Sequence, residues 1–227
     1  MKDVSFKDFD ILSEQDKAEA VALVQRYDQL EVQDGCQGDF ISFIKHMWPD
    51  FIEGRHHKII ANKFNKIADG KLKRLIVCLP PRHSKSEFAS TFFPAWMMGR
   101  RGNLKIIQTT HTAELAVRFG RKVRNIIDST EYQHIFPDLK LQADNKSAGR
   151  WTSNQEGEFF AAGVGGAITG RGADLLIIDD PHSEQDALYP SKLDKAYEWY
   201  TSGPRQRLQP GGTIVVVMTR WSEIDLT

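Results

Sequence analysis

The sequence is poor in cysteine and has no long apolar run, and these two shortages exclude several classes of protein. Its two cysteines, Cys36 and Cys78, follow no spacing typical of a zinc site or a disulfide framework, which fits a reducing cytoplasm. The seven histidines show no ligand spacing with them, so a transition-metal site is not expected. No run of about eighteen apolar residues is present, so we expect no membrane-spanning helix and no membrane partner. Charges stand where a signal peptide needs an apolar core, which argues against export.

Acidic and basic side chains balance over the whole chain but are unevenly distributed along it. Residues 1–39 hold 4 basic and 10 acidic side chains, residues 40–150 hold 20 and 9, and residues 151–227 hold 6 and 11. The basic middle segment could attract a polyanion. It could equally be an ordinary solvated surface, and charge alone leaves both interpretations open.

The 227 residues, 41% of them hydrophobic, are enough to bury the core of one α/β domain. Apolar runs typical of buried strands alternate with amphipathic patterns typical of helices, which indicates a parallel sheet covered on both faces. Ligands of such sheets bind at the carboxyl ends of the strands. Strands are predicted over residues 72–79, 104–109, 158–162, 175–179 and 213–218. Helices are predicted within residues 1–35, with Ser13 as a cap, over 40–48, 57–68, 112–127 and 191–200, and from residue 85 toward Pro94, which must end or kink that helix.

A turn with Lys85 and Ser86 at its exit joins the first predicted strand to a helix. The common phosphate-binding pattern is Gly-x-x-x-x-Gly-Lys-Ser/Thr, and here Leu79 and Ser84 replace its two glycines. Backbone amides at the helix start would hold an anion, Lys85 would reach the β- and γ-phosphates, and Ser86 would ligate Mg²⁺. Serine at position 84 makes the turn stiffer than glycine would. The alternative is a loop with a solvated lysine.

Two adjacent carboxylates, Asp179 and Asp180, end the most apolar predicted strand. Asp179 would hold Mg²⁺, and Asp180 would orient and activate an attacking water. Aspartate is shorter than the glutamate that many such enzymes carry at the second place, so catalysis would need a closer backbone or an intervening water. The alternative is a strand end with two solvated acids before the turn at Pro181.

Four stretches of the chain, taken in order, carry a resemblance to one family. Pro80-Pro-Arg-His-Ser-Lys-Ser86 is similar to a phosphate loop usually written Pro-Pro-Arg-His-Gly-Lys-Ser, and residues 108–116 are similar to a second-strand segment. Residues 166–181 look like an acidic segment with its glycine-rich approach, and Met218-Thr-Arg-Trp221 resembles a coupling motif. Over roughly residues 40–226, the chain thus resembles the ATPase domain of the large terminase subunit, the DNA-packaging motor of tailed bacteriophages.

The resemblance implies a P-loop NTPase fold of the ASCE type, an α/β fold with a central, mostly parallel β-sheet flanked by helices. It divides the chain into an acidic helical N-terminal extension at residues 1–39 and a P-loop ATPase domain at residues 40–227. Family members continue into a nuclease domain that cuts the DNA. These 227 residues contain no such domain, so we expect no nuclease activity from them.

The implied function is Mg²⁺-dependent hydrolysis of ATP, which powers translocation of double-stranded viral DNA into a procapsid. The implied partners are duplex DNA, held through its phosphates without sequence readout, together with the portal protein, the small terminase subunit and the procapsid. The motor would work as a homo-oligomeric ring in the host cytoplasm, docked transiently on the procapsid. Two other interpretations stay open. One is a helicase-like ATPase, although a second recombinase-like domain is missing, and the other is a nucleotide- or DNA-binding module with little turnover.

The resemblance also assigns roles to individual residues. Lys85 and Asp180 would be catalytic, and Ser86 and Asp179 would hold Mg²⁺. An arginine that stabilises charge on the γ-phosphate is expected either from Arg82 in the same chain or from Arg171 of a neighbouring subunit, and we favour Arg171. The expected nucleotide contacts are Arg82, His83, Ser84, Lys85, Ser86 and Glu87 in the turn, with Thr219 and Arg220 linking loss of the γ-phosphate to movement.

Contacts to adenine and to DNA are less sharply predicted. Arg55 or His57 would contact adenine, and a purely structural pair of histidines, His56 and His57, is the alternative. Three basic clusters are candidates for DNA phosphates, with solvated helix faces as the alternative for each. They are Arg100 with Arg101, the face formed by Arg118, Arg121, Lys122 and Arg124, and Arg205 with Arg207.

Overall fold

The computed structural model describes residues 13–227, apart from the side chains of residues 143–146. The helix predicted within residues 1–35 falls partly outside this range. Within it, helix α1 (Glu14–Gly38) begins at Ser13, whose hydroxyl accepts a hydrogen bond from the Asp16 amide at 3.2 Å. Ser13 is therefore confirmed as the cap, and the helix continues three residues beyond the predicted end.

Six further α-helices and seven strands follow in the described chain, and most lie within a few residues of the predicted bounds. The helices are α2 (Phe40–Met47), α3 (Arg55–Ala68), α4 (Phe93–Arg100), α5 (Ala113–Ile127), α6 (Thr130–Ile135) and α7 (Pro190–Ser202). The strands are β1 (Arg74–Cys78), β2 (Lys105–Thr110), β3 (Leu141–Ser147), β4 (Arg150–Ser153), β5 (Glu158–Gly163), β6 (Ala173–Asp179) and β7 (Leu208–Met218).

The strands form one seven-stranded sheet in the order β1-β7-β6-β2-β5-β4-β3. β1, β7, β6, β2 and β5 are parallel to one another, whereas β3 and β4 are antiparallel additions at one edge. The mixed α/β fold with a mostly parallel sheet flanked by helices confirms the predicted fold class. β7 lies between β1 and β6, so the two strands that carry the predicted phosphate and carboxylate segments are not adjacent.

Aromatic side chains fill the main core on one face of the sheet. Phe40 lies at their centre, with its ring 5.2 Å from Phe64, 5.6 Å from Phe88, 5.8 Å from Phe93 and 5.3 Å from Trp96. Edge-to-face pairs at these distances are favourable beyond the apolar area that they bury. The five residues come from α2, α3 and the helical segment after β1, so this cluster fixes those helices against the sheet. The other face carries a smaller aliphatic core, onto which Tyr200 of α7 packs.

The helix after the phosphate turn does not end at Pro94. Helical backbone begins at Lys85, passes through a π-helical segment (Glu87–Phe92) and continues through Pro94 to Arg100. The Phe93 amide donates to the carbonyl of Phe88, five residues earlier. Proline lacks an amide hydrogen and crowds the carbonyl four residues before it, and wider turns immediately upstream give it room. Of the two outcomes predicted for Pro94, an end of the helix is wrong, because the helix continues and the disturbance takes the form of a π-helical segment.

Candidate active site

The two predicted site segments meet at the carboxyl ends of the parallel strands. β1 ends at Cys78 and β6 ends at Asp179, and the parallel strand β7 between them ends at Met218. Because these strands are parallel, the turns that leave them emerge together. The phosphate turn, the carboxylate pair and residues 218–227, called here the coupling segment, therefore lie side by side at the carboxyl ends of the strands, where α/β sheets bind ligands.

Lys85 and Asp180 form the central ion pair of the candidate site. Lys85 Nζ lies 2.8 Å from Asp180 Oδ2, and the lysine side chain is only 9% exposed. The second carboxylate oxygen of Asp180 accepts a hydrogen bond from the Thr219 amide at 2.8 Å. One carboxylate thus connects the phosphate turn to the coupling segment. The sequence predicted all three residues for the site, and the fold brings them together.

Asp179 is buried against the helix that follows the turn. Its two oxygens accept hydrogen bonds from the hydroxyls of Ser86, at 3.0 Å, and Ser90, at 2.7 Å. Burial raises the pKa of Asp179 from 3.8 to about 7, with a smaller contribution from the negative charge of Asp180, while the two serine hydroxyls and Lys85 act in the opposite direction. Sequence analysis missed Ser90. The available signal was its position four residues after Ser86, which places both hydroxyls on one helical face.

The donor set at this point suits Mg²⁺. Ser86 and Asp179 offer a hydroxyl and a carboxylate oxygen that are already in contact, and oxygen ligands are what this hard cation prefers. Among the described residues no group of three or more His, Cys, Asp or Glu side chains could hold a metal ion. A site of one carboxylate and one hydroxyl fits Mg²⁺ bound together with substrate phosphates, because proteins commonly bind it through one or two carboxylates.

Three residues of the site adopt left-handed backbone conformations. The φ angles are +63° at Arg82, +59° at Ser84 and +42° at Asp180, and none of these residues is glycine. Ser84 occupies the place where the phosphate-binding pattern has glycine, so the backbone keeps the conformation that glycine favours and serine bears the strain. At Asp180 the backbone is held on both sides, because its amide donates to Val217 and its carbonyl accepts from His111.

The remaining residues of the phosphate turn lie in different surroundings. Arg82 and His83 are exposed, and His83 Nδ1 lies 2.9 Å from the Pro81 carbonyl oxygen. Glu87 forms an ion pair with Lys122 of α5. This pair joins the residue after Ser86 to a helix that also carries three arginines, so the turn is tied to α5.

The coupling segment is folded around Asp225. This carboxylate, fully buried, accepts hydrogen bonds from Arg220 Nε at 2.8 Å and from the amides of Trp221 and Thr227. Burial acts to raise the pKa of Asp225, but these hydrogen bonds outweigh it and leave the pKa lowered. Arg220 is therefore held by Asp225, whereas Thr219 reaches the phosphate turn directly through a 3.2 Å hydrogen bond from its hydroxyl to the Leu79 carbonyl.

Arg171 lies just before the amino end of β6, whereas the site lies at the carboxyl end of that strand. It precedes β6, whose seven residues span about 20 Å. Its guanidinium group forms an ion pair with Glu158 and stacks 4.0 Å over the ring of Phe160. Arg171 therefore cannot reach the phosphate site of its own chain. Its action on a neighbouring subunit stays a prediction, and that action would require the pair with Glu158 to open.

His57 is packed as a structural residue. Its Nδ1 accepts a hydrogen bond from the Gly54 amide at 2.9 Å, and its ring lies 4.8 Å from Phe88. Burial lowers the pKa of His57, with the neighbouring His56 contributing in the same direction. This packing favours the structural alternative for the histidine pair. Arg55 is exposed at the start of α3, and its role as an adenine contact stays a prediction.

The three basic clusters also differ in how they are held. Arg100 lies over the Trp96 ring at 4.8 Å, and Lys122 is paired with Glu87. Arg118 and Arg121 are exposed on α5 and form no ion pair with any described residue. Arg205 and Arg207 lie in a short 3₁₀ helix (Pro204–Arg207).

Comparison with known proteins relates the chain to a terminase through its fold. No protein-family model and no curated protein matches the sequence. Among solved structures, the chain is similar to the large terminase of bacteriophage HK97, with a TM-score of 0.50 and 13% sequence identity. The match covers 75% of this chain and 34% of the HK97 chain, so it spans about a third of that protein. At this identity the likeness shows a terminase-like fold. Residues 13–227 contain no helix that is long and apolar enough to span a membrane.

Proposed function

We propose that this chain is a Mg²⁺-dependent ATPase, the motor part of a large terminase subunit. The observation that carries the proposal is the meeting of Lys85, Ser86, Asp179 and Asp180 at the carboxyl edge of a parallel sheet. A lysine, a hydroxyl and two carboxylates are the groups that phosphoryl transfer from a nucleoside triphosphate requires. The terminase-like fold supports the choice among the many proteins that use such a site.

The ion pair between Lys85 and Asp180 gives the first step of the mechanism. In the structure Asp180 neutralises a lysine that is almost completely buried. A bound triphosphate offers Lys85 a stronger counter-charge, so the lysine turns to the β- and γ-phosphate oxygens. Asp180 Oδ2 is then free to accept a proton from the attacking water. Aspartate is short, but the left-handed backbone at Asp180 and the bond to Thr219 fix where its carboxylate points.

Ser86 and Asp179 would hold Mg²⁺, which neutralises the charge that develops on the phosphate oxygens when it is bound. Asp179 must be ionised to act as a ligand, and its raised pKa means that metal binding and loss of a proton are linked. Ser90 keeps the second oxygen of Asp179 occupied, so only one oxygen faces the site. The aspartate is thereby oriented before any ligand arrives.

Thr219 would transmit the loss of the γ-phosphate to the rest of the molecule. It contacts Asp180 through its amide and the phosphate turn through its hydroxyl. A change in the position of Asp180 when the γ-phosphate leaves therefore moves the segment that Asp225 holds together. We propose that this movement drives duplex DNA, gripped through its phosphates, into a procapsid. The portal protein, the small terminase subunit and further copies of this chain in a ring would be the partners, in the cytoplasm of the infected host.

Phosphate release tests the proposal. The 227-residue chain should release phosphate from ATP only with Mg²⁺, and Lys85→Ala should lower the rate at least about 100-fold. Lys63→Ala, which removes an exposed lysine from α3, is the matched control and should leave the rate unchanged. Equal rates in the wild type and in Lys85→Ala would overturn the assignment. Strand-displacement assays should be negative, because displacement would instead indicate a helicase-like ATPase.

A second candidate function is a nucleotide-binding module with little turnover. Both carboxylate oxygens of Asp180 are engaged, one by Lys85 and the other by Thr219, which favours a resting state without a free general base. Calorimetry distinguishes the two candidates. Heat of ATP binding without phosphate release, at every concentration of the chain and with duplex DNA present, would favour the binding module.

A further inference from the structure

The amino-terminal helix α1 exposes an apolar surface that nothing in the described chain covers. Every residue from 21 to 32 is exposed, including Leu23 at 64%, Val24 at 60%, Tyr27 at 65% and Leu30 at 41%. In proteins, most helices gain their stability by packing an apolar face rather than from intrinsic helix propensity. An uncovered stripe over three turns is therefore typical of a surface that binds another protein.

The carboxyl end of α1 is fixed, and so the exposed part projects in a defined direction. Trp96 Nε1 donates to the Cys36 carbonyl at 2.8 Å, and Gln33 donates to the Ile135 carbonyl at 3.2 Å. The residues from Glu14 to Val32 then extend about 28 Å along the helix axis. Because α1 is held at one end, its apolar stripe cannot fold back onto its own molecule without breaking these contacts.

The chemistry of the stripe specifies its partner. Leu23, Tyr27 and Leu30 share one helical face with Glu31 and Asp34. Over its 25 residues α1 carries six acidic and two basic side chains. A complementary surface must therefore combine a small apolar depression with basic side chains at its rim.

Such a surface exists on α5 of the same chain. A shallow cavity of about 360 Å³ there is lined by Ala113, Glu114, Val117, Arg118 and Arg121. Ala113 and Val117 provide the apolar floor, and the two exposed arginines provide the basic rim. The helix carries four basic side chains and one acidic side chain, the opposite balance to α1.

We propose that α1 of one molecule docks on α5 of a second copy of this chain, with Tyr27 in the cavity and Glu31 and Asp34 near Arg118 and Arg121. The two surfaces are different and lie on the same molecule, so the contact is head-to-tail and can continue from copy to copy. One helix face buries less than the roughly 1,200 Å² of a stable interface, so the association is weak, with a Kd of about 1–100 µM. The inference does not depend on the proposed ATPase activity.

Sedimentation velocity of the 227-residue chain, from about 1 to about 200 µM, tests the proposal. The wild type should form assemblies that grow with concentration and that dissociate at about 0.5 M salt. Two double variants should each weaken association at least about tenfold. They are Leu23→Gln with Tyr27→Gln, which keeps good helix formers in α1, and Arg118→Glu with Arg121→Glu. The control, Lys63→Glu with Lys66→Glu, reverses two exposed charges on α3 and should associate like the wild type.

Mixing the two double variants gives the sharpest result. One keeps an intact cavity and the other keeps an intact helix, so a head-to-tail contact predicts dimers and nothing larger. Pairing of two α1 helices with each other predicts no recovery, and that result would overturn the proposal. So would a wild type that stays monomeric throughout. The proposal would also be overturned if Arg118→Glu with Arg121→Glu lost binding to duplex DNA but associated like the wild type. That result would indicate that the α5 face binds nucleic acid instead.

Discussion

Lys85 and Asp180 are separated by 94 other residues in the chain, yet their charged groups lie 2.8 Å apart. The strands that precede the two residues are not neighbours, because β7 lies between β1 and β6. The contact is possible because both residues follow parallel strands that end at one edge. The pair neutralises the charge of a buried lysine, and in the proposed mechanism a phosphate group would replace the carboxylate.

The interaction between these two residues can be measured by a double-mutant cycle. Asp180→Asn leaves Lys85 buried without a counter-charge, so we expect a loss of about 1–3 kcal/mol in the free energy of unfolding. Lys85→Met should cost less, because Asp180 is 27% exposed and keeps its bond to Thr219. Urea denaturation measures each variant.

The double variant, Lys85→Met with Asp180→Asn, should be more stable than the sum of the single changes predicts. Phosphate release should stay abolished in it, because the proposed mechanism requires both groups. Simple additivity of the two losses would mean that the ion pair contributes nothing to stability.

Replacement of Ser84 by glycine should stabilise the protein. The φ angle of +59° strains a serine and suits glycine, and we expect a gain of about 0.5–1 kcal/mol after the greater flexibility of glycine in the unfolded chain is included. Ser84→Ala is the matched control and should give no gain, because alanine bears the same strain. Thermal unfolding of the three proteins provides the comparison, and a less stable glycine variant would contradict the strain.

Asp179 should make stability depend on pH in the absence of metal. Its pKa is about 7 in the folded protein and about 3.8 in the unfolded chain, so the folded state binds more protons between these values. Stability contributed by this group is present below about pH 4 and is lost as the pH rises to 7. In EDTA, Asp179→Asn should therefore exceed the wild type by roughly 2–4 kcal/mol at pH 8. The advantage should vanish near pH 4, and a difference independent of pH would refute the assignment.

Arg171 can be tested in two independent ways. Loss of its contacts in Arg171→Met should cost about 1 kcal/mol or more, and the cost should shrink when Glu158 is already replaced by Gln. If the arginine also serves a neighbour, a mixture of Arg171→Ala and Lys85→Ala proteins should recover phosphate release. No recovery in the mixture would leave Arg171 with a structural role alone.

The sequence predicted the parallel part of the sheet because its strands are continuous apolar runs. The same reasoning missed β3 and β4, since residues such as Gln142 and Thr152 make the pattern polar and a short antiparallel edge needs no apolar run. It also left open whether Pro94 ends or kinks a helix, because local rules for proline contain no information about a π-helical segment upstream.

The sequence identified the main residues of the candidate site but not all of their contacts. Motif spacing identified Lys85, Ser86 and the aspartate pair, and parallel strands then required them to meet. The spacing of Ser90 from Ser86 was a sequence signal for its role, whereas the Asp225 contacts depend on tertiary packing. The contacts of Arg171 could not be inferred either, because its ion pair with Glu158 and its stacking on Phe160 depend on where β5 lies in the sheet.

The position of Trp221 makes its intrinsic fluorescence a probe of the coupling segment. Trp221 is 39% exposed and lies two residues after Thr219, whereas Trp96 and Trp151 are completely buried. Its backbone amide donates to the Asp225 carboxylate, so we expect a displacement of that carboxylate to change the surroundings of the indole. Intrinsic fluorescence, with Trp221→Phe as the dark reference, should therefore follow the coupling segment in real time without an attached dye.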